Sequence, residues 1–135
     1  MSELEATVAD VALLLSALPG AIVSNATIAQ SDVRFEIELD DAESASALQH
    51  ISLGANILVR SRFESYELDW RDTSAWLRKP LELVATFSPR GPEIALGQLQ
   101  LLGIHLVWYL HRRRLIVQGD ANEYLRKWNA VTVAG

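Results

Sequence analysis

Apolar residues recur at helical spacing near the start of the chain. Ser2 and Glu5 stand before them at the spacing of a capping box, and Pro19 and Gly20 follow as helix-ending residues. These patterns predict a helix over 2–18 with an apolar side made of Leu4, Val8, Val11, Leu15 and Leu18. The alternating steps of four and three residues are also those of a coiled-coil seam. This side therefore packs on the chain's own sheet or pairs with a second copy in a homodimer.

Strict alternation of apolar and charged residues marks the next predicted element. It gives a strand over 32–40 with one buried face, and that face carries Val33, Phe35, Ile37 and Leu39. The segment 21–29 is rich in Ile, Val and Thr, so we predict a hairpin with its turn at 29–32. A short helix should follow, capped by Asp40 with Glu43 and ended by a left-handed Gly54.

The apolar positions change parity between 55 and 70, from odd to even numbers. Because a shift of one residue turns side chains to the opposite face of a sheet, we predict a bulge or a tight turn near Glu64 and Ser65. A further strand follows Pro80, with one side made of Leu81, Leu83, Ala85 and Phe87. Residues 88–92 contain two of the four prolines, which predicts a loop.

The block from Ile94 to Leu110 is almost entirely apolar and is followed by His111 and three arginines. It is short for a membrane span, and its two glutamines and one histidine would need partners in hydrocarbon, so we expect an interior element. A helix would place four leucines on one face, at Leu99, Leu102, Leu106 and Leu110. The β-branched and aromatic residues at 104–109 favour a strand instead. We predict two strands, the second over 115–117, that turn near 111–114.

A terminal helix completes the predicted order of elements. Asp120 and Glu123 form its capping pair, and Tyr124 and Trp128 lie about one turn apart on it. The order is a helix, a hairpin, a helix, several strands and a last helix, which predicts a single α+β domain over 1–135. Its largely antiparallel, twisted sheet should be covered on one face by the N-terminal, middle and C-terminal helices.

The composition places the chain among ordinary globular proteins. Half of its 135 residues are apolar and 21% are charged. Cysteine is absent, so no disulfide, thiolate nucleophile or thiol metal site is available. The first residues are acidic, unlike the basic start of a signal peptide, and we expect a cytoplasmic protein. A net charge of −5 and a pI near 5.1 disfavour nucleic acid as a partner and favour a basic protein.

Catalytic signatures are missing from the sequence. The motifs of zinc peptidases, α/β-hydrolases, P-loop proteins and dinucleotide-binding proteins do not occur. His50 has no carboxylate or second histidine at metal-binding spacing and His105 lies inside the apolar block, so we predict no metal and no cofactor. Four carboxylates at 36–41 could hold a cation, but pairing with arginines of a neighbouring strand explains them better. The expected partners of these carboxylates, at Glu36, Glu38, Asp40 and Asp41, are Arg60 and Arg62.

The remaining candidates are aromatic and basic side chains suited to binding. Tryptophan is enriched at protein interfaces, and the chain has four, at Trp70, Trp76, Trp108 and Trp128. The densest positive cluster could bind an anion or an acidic partner and consists of His111, Arg112, Arg113 and Arg114. We take all of these as candidate binding residues and predict no catalytic residue.

Three hypotheses about function remain open. The first is a non-enzymatic, acidic binding protein that masks, carries or neutralises another protein. The second is a small enzyme or ligand-binding domain with an apolar pocket under a curved sheet. The third is a membrane-associated protein that uses residues 94–114. We favour the first, because the sequence combines abundant tryptophan and a helix with coiled-coil spacing with no catalytic motif.

Overall fold

Four helices and four strands make up the part of the chain that the computed structural model describes, residues 2–61, 80–88 and 91–134. In chain order the elements are α1 (Glu3–Ser16), β1 (Ala21–Ile28), β2 (Asp32–Leu39), α2 (Ala42–Gly54), β3 (Leu58–Ser61), β4 (Pro80–Thr86), α3 (Glu93–Arg112) and α4 (Gln118–Lys127). The strands form one antiparallel sheet in the order β1-β2-β4-β3. The helices pack against this sheet, so the predicted α+β fold is confirmed.

Helix α1 begins with the predicted capping box. The Ser2 hydroxyl accepts a hydrogen bond from the Glu5 amide at 3.1 Å and donates one to the Glu5 carboxylate at 3.1 Å. The predicted apolar side contacts the core of the same chain, with Leu4 partly buried and the rest buried, at Val8, Val11, Leu15 and Leu18. Because these side chains already pack against β1 and α3, they cannot also form the homodimer seam predicted for them.

The predicted hairpin is confirmed in strands β1 and β2. The Ala29 amide donates to the Asp32 carbonyl at 2.8 Å, which closes the turn at the predicted place. The pairing register shifts between Val23 and Asn25, which marks a bulge in β1. The four alternating apolar residues of β2 are at most 1% exposed, at Val33, Phe35, Ile37 and Leu39.

The boundaries of helix α2 differ from the predicted ones. Asp41 rather than Asp40 is the N-cap, and its carboxylate accepts from the Ser44 amide at 2.9 Å. Asp40 still belongs to the hairpin, because its amide donates to the Gly20 carbonyl at 3.2 Å. The left-handed residue after the helix is Asn56, with φ of 56°, and not Gly54.

The outer face of the sheet carries ion pairs that differ from the expected ones. The strand order places β4 between β2 and β3, so residues of β2 and β3 are not direct neighbours. Glu82 of β4 pairs with Arg34 of β2 at 3.2 Å and with Arg60 of β3 at 3.4 Å. The expected pairing of Arg60 with carboxylates of β2 is therefore replaced by its pairing with Glu82. Arg62 and the predicted bulge near Glu64 and Ser65 lie outside the described residues.

The apolar block forms one long helix, α3, and the prediction of two strands is wrong. Its four leucines are fully buried on one face, at Leu99, Leu102, Leu106 and Leu110. Burial of this face outweighs the local strand preference of Ile104 and Val107, because strand preference is a weak and context-dependent property. Helix α3 lies centrally in the helix layer and contacts α1, α2 and α4.

The segment after α3 is a turn and not the predicted strand over 115–117. The Leu115 amide donates to the Leu110 carbonyl at 2.8 Å, and Arg114 adopts a left-handed conformation with φ of 59°. This reversal leads directly into α4, whose N-cap is Val117, so the helix begins before the predicted cap at Asp120. Within α4, the side chain of Asn122 holds the final segment of the chain by donating to the Val133 carbonyl at 3.1 Å and accepting from the Val133 amide at 2.8 Å.

Candidate functional site

A line of large apolar side chains runs along the outer side of α3. Ile94 is 53% exposed, Leu101 is 39% exposed and Trp108 is 41% exposed. They are spaced seven residues apart, which is close to two helical turns, so they share one face of the helix. This face points away from the buried leucines. We call these three residues the α3 stripe.

Helix α3 itself carries no charged side chain along the length of the α3 stripe. No Asp, Glu, Lys or Arg occurs between Ile94 and Leu110. Gln98 is turned sideways and donates to the Asn56 carbonyl at 2.9 Å, while Gln100 donates to the Glu3 carboxylate at 3.4 Å. The two glutamines of α3 thus bind neighbouring segments and do not cover the α3 stripe.

A groove of about 340 Å³ lies beside the C-terminal half of the stripe, between α2 and α3. Helix α2 contributes Ala47, His50 and Ile51, and α3 contributes His105, Trp108 and Tyr109. The two histidines come from facing helices. Apolar walls with a few polar groups are typical of sites that receive a side chain or a small ligand.

The end of the groove near the C-terminus of α3 is closed by an ion pair. Arg113 pairs with Glu43 of α2, and its guanidinium lies 5.4 Å from the centre of the Tyr109 ring. Burial raises the pKa of the Tyr109 phenol above its usual value. Arg112 also lines the groove, and no carboxylate of the described residues is within ion-pair distance of it.

The structure brings three of the predicted binding residues together and separates two others. Trp108, Arg112 and Arg113 line the α2–α3 groove. His111 and Arg114 line a different depression, together with residues 115–118. The separation arises because α3 ends at Arg112 and the chain reverses at the left-handed Arg114. The three arginines are all exposed.

Of the other three predicted binding tryptophans, only Trp128 belongs to the described residues, and it lies away from this surface. Trp128, which the sequence analysis took as a candidate binding residue, is only 6% exposed and belongs to the core. It packs against Gly103 of α3 and stacks on Tyr124, with ring centres 5.6 Å apart. Trp70 and Trp76 lie outside the described residues.

The sequence analysis did not name Ile94 and Leu101 as binding residues, and it considered His50 and His105 but set them aside. The whole apolar block was expected to be interior, and its buried leucines hid the exposed line. The spacing of seven residues from Ile94 through Leu101 to Trp108 was the available signal. It could be recognised only after the block was known to be a helix.

The described residues contain no group of three or more His, Asp or Glu side chains placed to hold a metal ion. None of their helices is long and apolar enough to cross a bilayer.

A second depression, of about 430 Å³, lies between α1 and α4. Lys127 of α4 donates there to the Asp10 carboxylate of α1 at 3.0 Å, which ties the two helices together. The hydrogen bond to Asp10 raises the pKa of Lys127.

Comparison of the chain with protein-family models, with curated proteins and with solved structures gave no match.

Proposed function

We propose that the chain is a non-enzymatic protein-binding module and that the α3 stripe is its binding face. The observation that carries this proposal is the exposure of Ile94, Leu101 and Trp108 in one line on the central helix. Scattered apolar side chains are normal on protein surfaces, but an ordered apolar line with few charges is typical of interfaces. Burial of these three side chains in a complex would remove their apolar surface from water.

The partner that fits this face is an amphipathic helix laid along α3. A helix presents one side chain about every two turns to such a line, which matches the spacing of the stripe. Trp108 is suited to contribute most of the binding energy, because tryptophan is enriched among the residues that dominate the energetics of interfaces. The groove between α2 and α3 would receive a partner side chain next to it.

The charges near the C-terminal end of α3 favour an acidic group on the partner at that point. Arg112 and Arg114 are exposed, and no described carboxylate lies within ion-pair distance of either. Guanidinium groups bind carboxylates with two parallel hydrogen bonds, which also fixes orientation. The net charge of the whole chain favours a basic partner, whereas this local surface favours carboxylates at one end of an apolar helix.

Site-specific photo-cross-linking in cells tests the proposal. The photoreactive residue p-benzoylphenylalanine replaces Leu101 in one variant and Ile22, which is 63% exposed on β1, in the control variant. We expect illumination to attach a polypeptide at position 101 and not at position 22. A further change of Ile94 to Asp should reduce the product at 101. Absence of a polypeptide adduct at 101, or equal adducts at both positions, would overturn the proposal.

A further inference from the structure

We propose that the partner of the α3 stripe is a second copy of this chain, with the two α3 helices antiparallel about a two-fold axis at Leu101. This inference rests on the proposed function, since it names the occupant of the same face. It concerns α3 and not α1, whose apolar side is already buried in the core.

The spacing of side chains along the stripe is symmetric about Leu101. Ile94 and Trp108 lie seven residues from it on either side. In an antiparallel pair centred on Leu101, the Ile94 side chain of one copy therefore meets the partner's Trp108, and Leu101 meets itself. In this arrangement each of the three residues of the α3 stripe is covered by an apolar residue of the second copy.

Gly97 and His105 complement each other in the same arrangement. Each lies four residues from Leu101, so Gly97 of one copy faces the partner's His105. A side chain added at Gly97 would meet no atom within 4 Å, so this part of the helix surface is open. The His105 side chain of the second copy has room there, and the small residue lets the helices approach closely.

The charges at the two ends of α3 select the antiparallel orientation. Glu93 is the acidic residue of the first turn, and His111 and Arg112 are the basic residues of the last turn. An antiparallel pair brings Glu93 near the partner's Arg112, whereas a parallel pair would place like charges at each end. The opposed helix dipoles favour the same choice.

The size of the contact sets the expected strength of the dimer. From Ile94 to Trp108 the stripe is about 21 Å long at 1.5 Å per residue. One helix pair of this length is at the small end of stable protein interfaces, which bury about 800 Å² on each partner. We therefore expect a dissociation constant of about 1 to 100 µM.

The absence of cysteine from the chain permits a direct test with single-cysteine variants. Two cysteines form a disulfide only when their Cα atoms come within about 7 Å. We expect Leu101→Cys to form a covalent dimer under mild oxidation. The matched control is Leu13→Cys, on the exposed side of α1, which should remain a monomer.

The orientation is tested by cysteines at the two ends of the stripe. Ile94→Cys and Trp108→Cys should cross-link to each other when the two variants are mixed, and far less when each is oxidised alone. Self-linking of each variant without the mixed product would overturn the antiparallel arrangement. Light scattering of the unmodified chain between about 1 and 200 µM should show the mass rising from monomer towards dimer.

Failure of this inference differs from failure of the proposed function. A monomeric mass over the whole concentration range, with no disulfide at position 101, overturns the second copy as partner. If photo-cross-linking at position 101 then yields a different polypeptide, the binding face stands and its partner is another protein. If it yields no polypeptide, the proposed function fails as well.

Discussion

Gly103 of α3 and Trp128 at the end of α4 are in direct contact, because a methyl group added at Gly103 would lie 2.5 Å from the Cη2 atom of the Trp128 ring. The missing side chain is what lets the indole lie against the α3 backbone. This contact explains why Trp128 is buried although it follows a largely polar helix. It also fixes α4 beside α3, on the side of α3 that the stripe does not use.

Replacing Gly103 with Ala should therefore destabilise the fold. Overpacking of this contact should cost about 1–3 kcal/mol, offset only in part by the better helix propensity of Ala. The control is Gly119→Ala in α4, where an added methyl group meets no atom within 4 Å. Urea unfolding followed by circular dichroism measures both. A Gly103→Ala protein as stable as the control would show that the Trp128 contact is looser than described.

Val11→Asp should unfold the chain, and Leu13→Asp should not. Val11 of α1 is fully buried against the core. The carboxylate of an aspartate at this position would lose its hydration without gaining a partner. Leu13 is 61% exposed on the same helix, so the same change there leaves the charge in water. Circular dichroism and thermal unfolding separate the two results. A folded Val11→Asp monomer would contradict the internal packing of α1.

Phe35→Ala and Glu38→Ala should have very different costs although both lie on β2. Phe35 is buried in the core, and its truncation should cost about 3–5 kcal/mol. Glu38 is exposed on the other side of the strand, and its truncation should cost under about 1 kcal/mol. Denaturant unfolding measures both. Equal costs would mean that the register of β2 is different.

The pair formed by Lys127 and Asp10 should stabilise the fold below pH 10.5 and lose its effect above it. The pKa of Lys127 is raised above its usual value of 10.5, so the folded chain holds this proton more tightly than the unfolded chain. The contribution is therefore complete below pH 10.5 and disappears as the pH rises through the higher folded value. Because Lys127 is half exposed, it should amount to less than about 1 kcal/mol.

Unfolding of wild type and Lys127→Met at pH 8 and pH 11.5 checks this expectation. The wild type should be the more stable protein at pH 8, and the difference should shrink at pH 11.5. Lys127 also lies 5.5 Å from the centre of the Tyr124 ring, and each group affects the pKa of the other, so both proteins should carry Tyr124→Phe. A difference that stays constant over this range would show that the ion pair is not its cause.

Some elements could be predicted because their patterns are local and unambiguous. The capping box of α1 and the alternation in β2 each allow one arrangement, and both are confirmed. The pattern of the apolar block at 94–110 is ambiguous, because its leucines have helical spacing whereas its β-branched and aromatic residues are typical of a strand. Burial of its leucine face against the sheet decided between them, and that is a tertiary effect.

The candidate site was predictable only in part for a related reason. Trp108, Arg112 and Arg113 could be chosen by residue type, but apolar residues such as Ile94 and Leu101 look like core residues in a sequence. The pairing of Arg113 with Glu43 joins residues of two helices that are distant in the chain. Burial of Trp128 depends on Gly103, which no local pattern connects to it.

Hydroxyl-radical footprinting of Trp108 in cells that produce the protein tests the central claim most directly, because oxidation of an indole reports its exposure to water. The wild type is compared with Leu101→Asp, and Leu13 on α1 is the internal control. If the α3 stripe binds protein, Trp108 should be oxidised several-fold more slowly in the wild type than in the variant, with Leu13 unchanged. Equal oxidation of Trp108 in both proteins would contradict the claim that this face is covered.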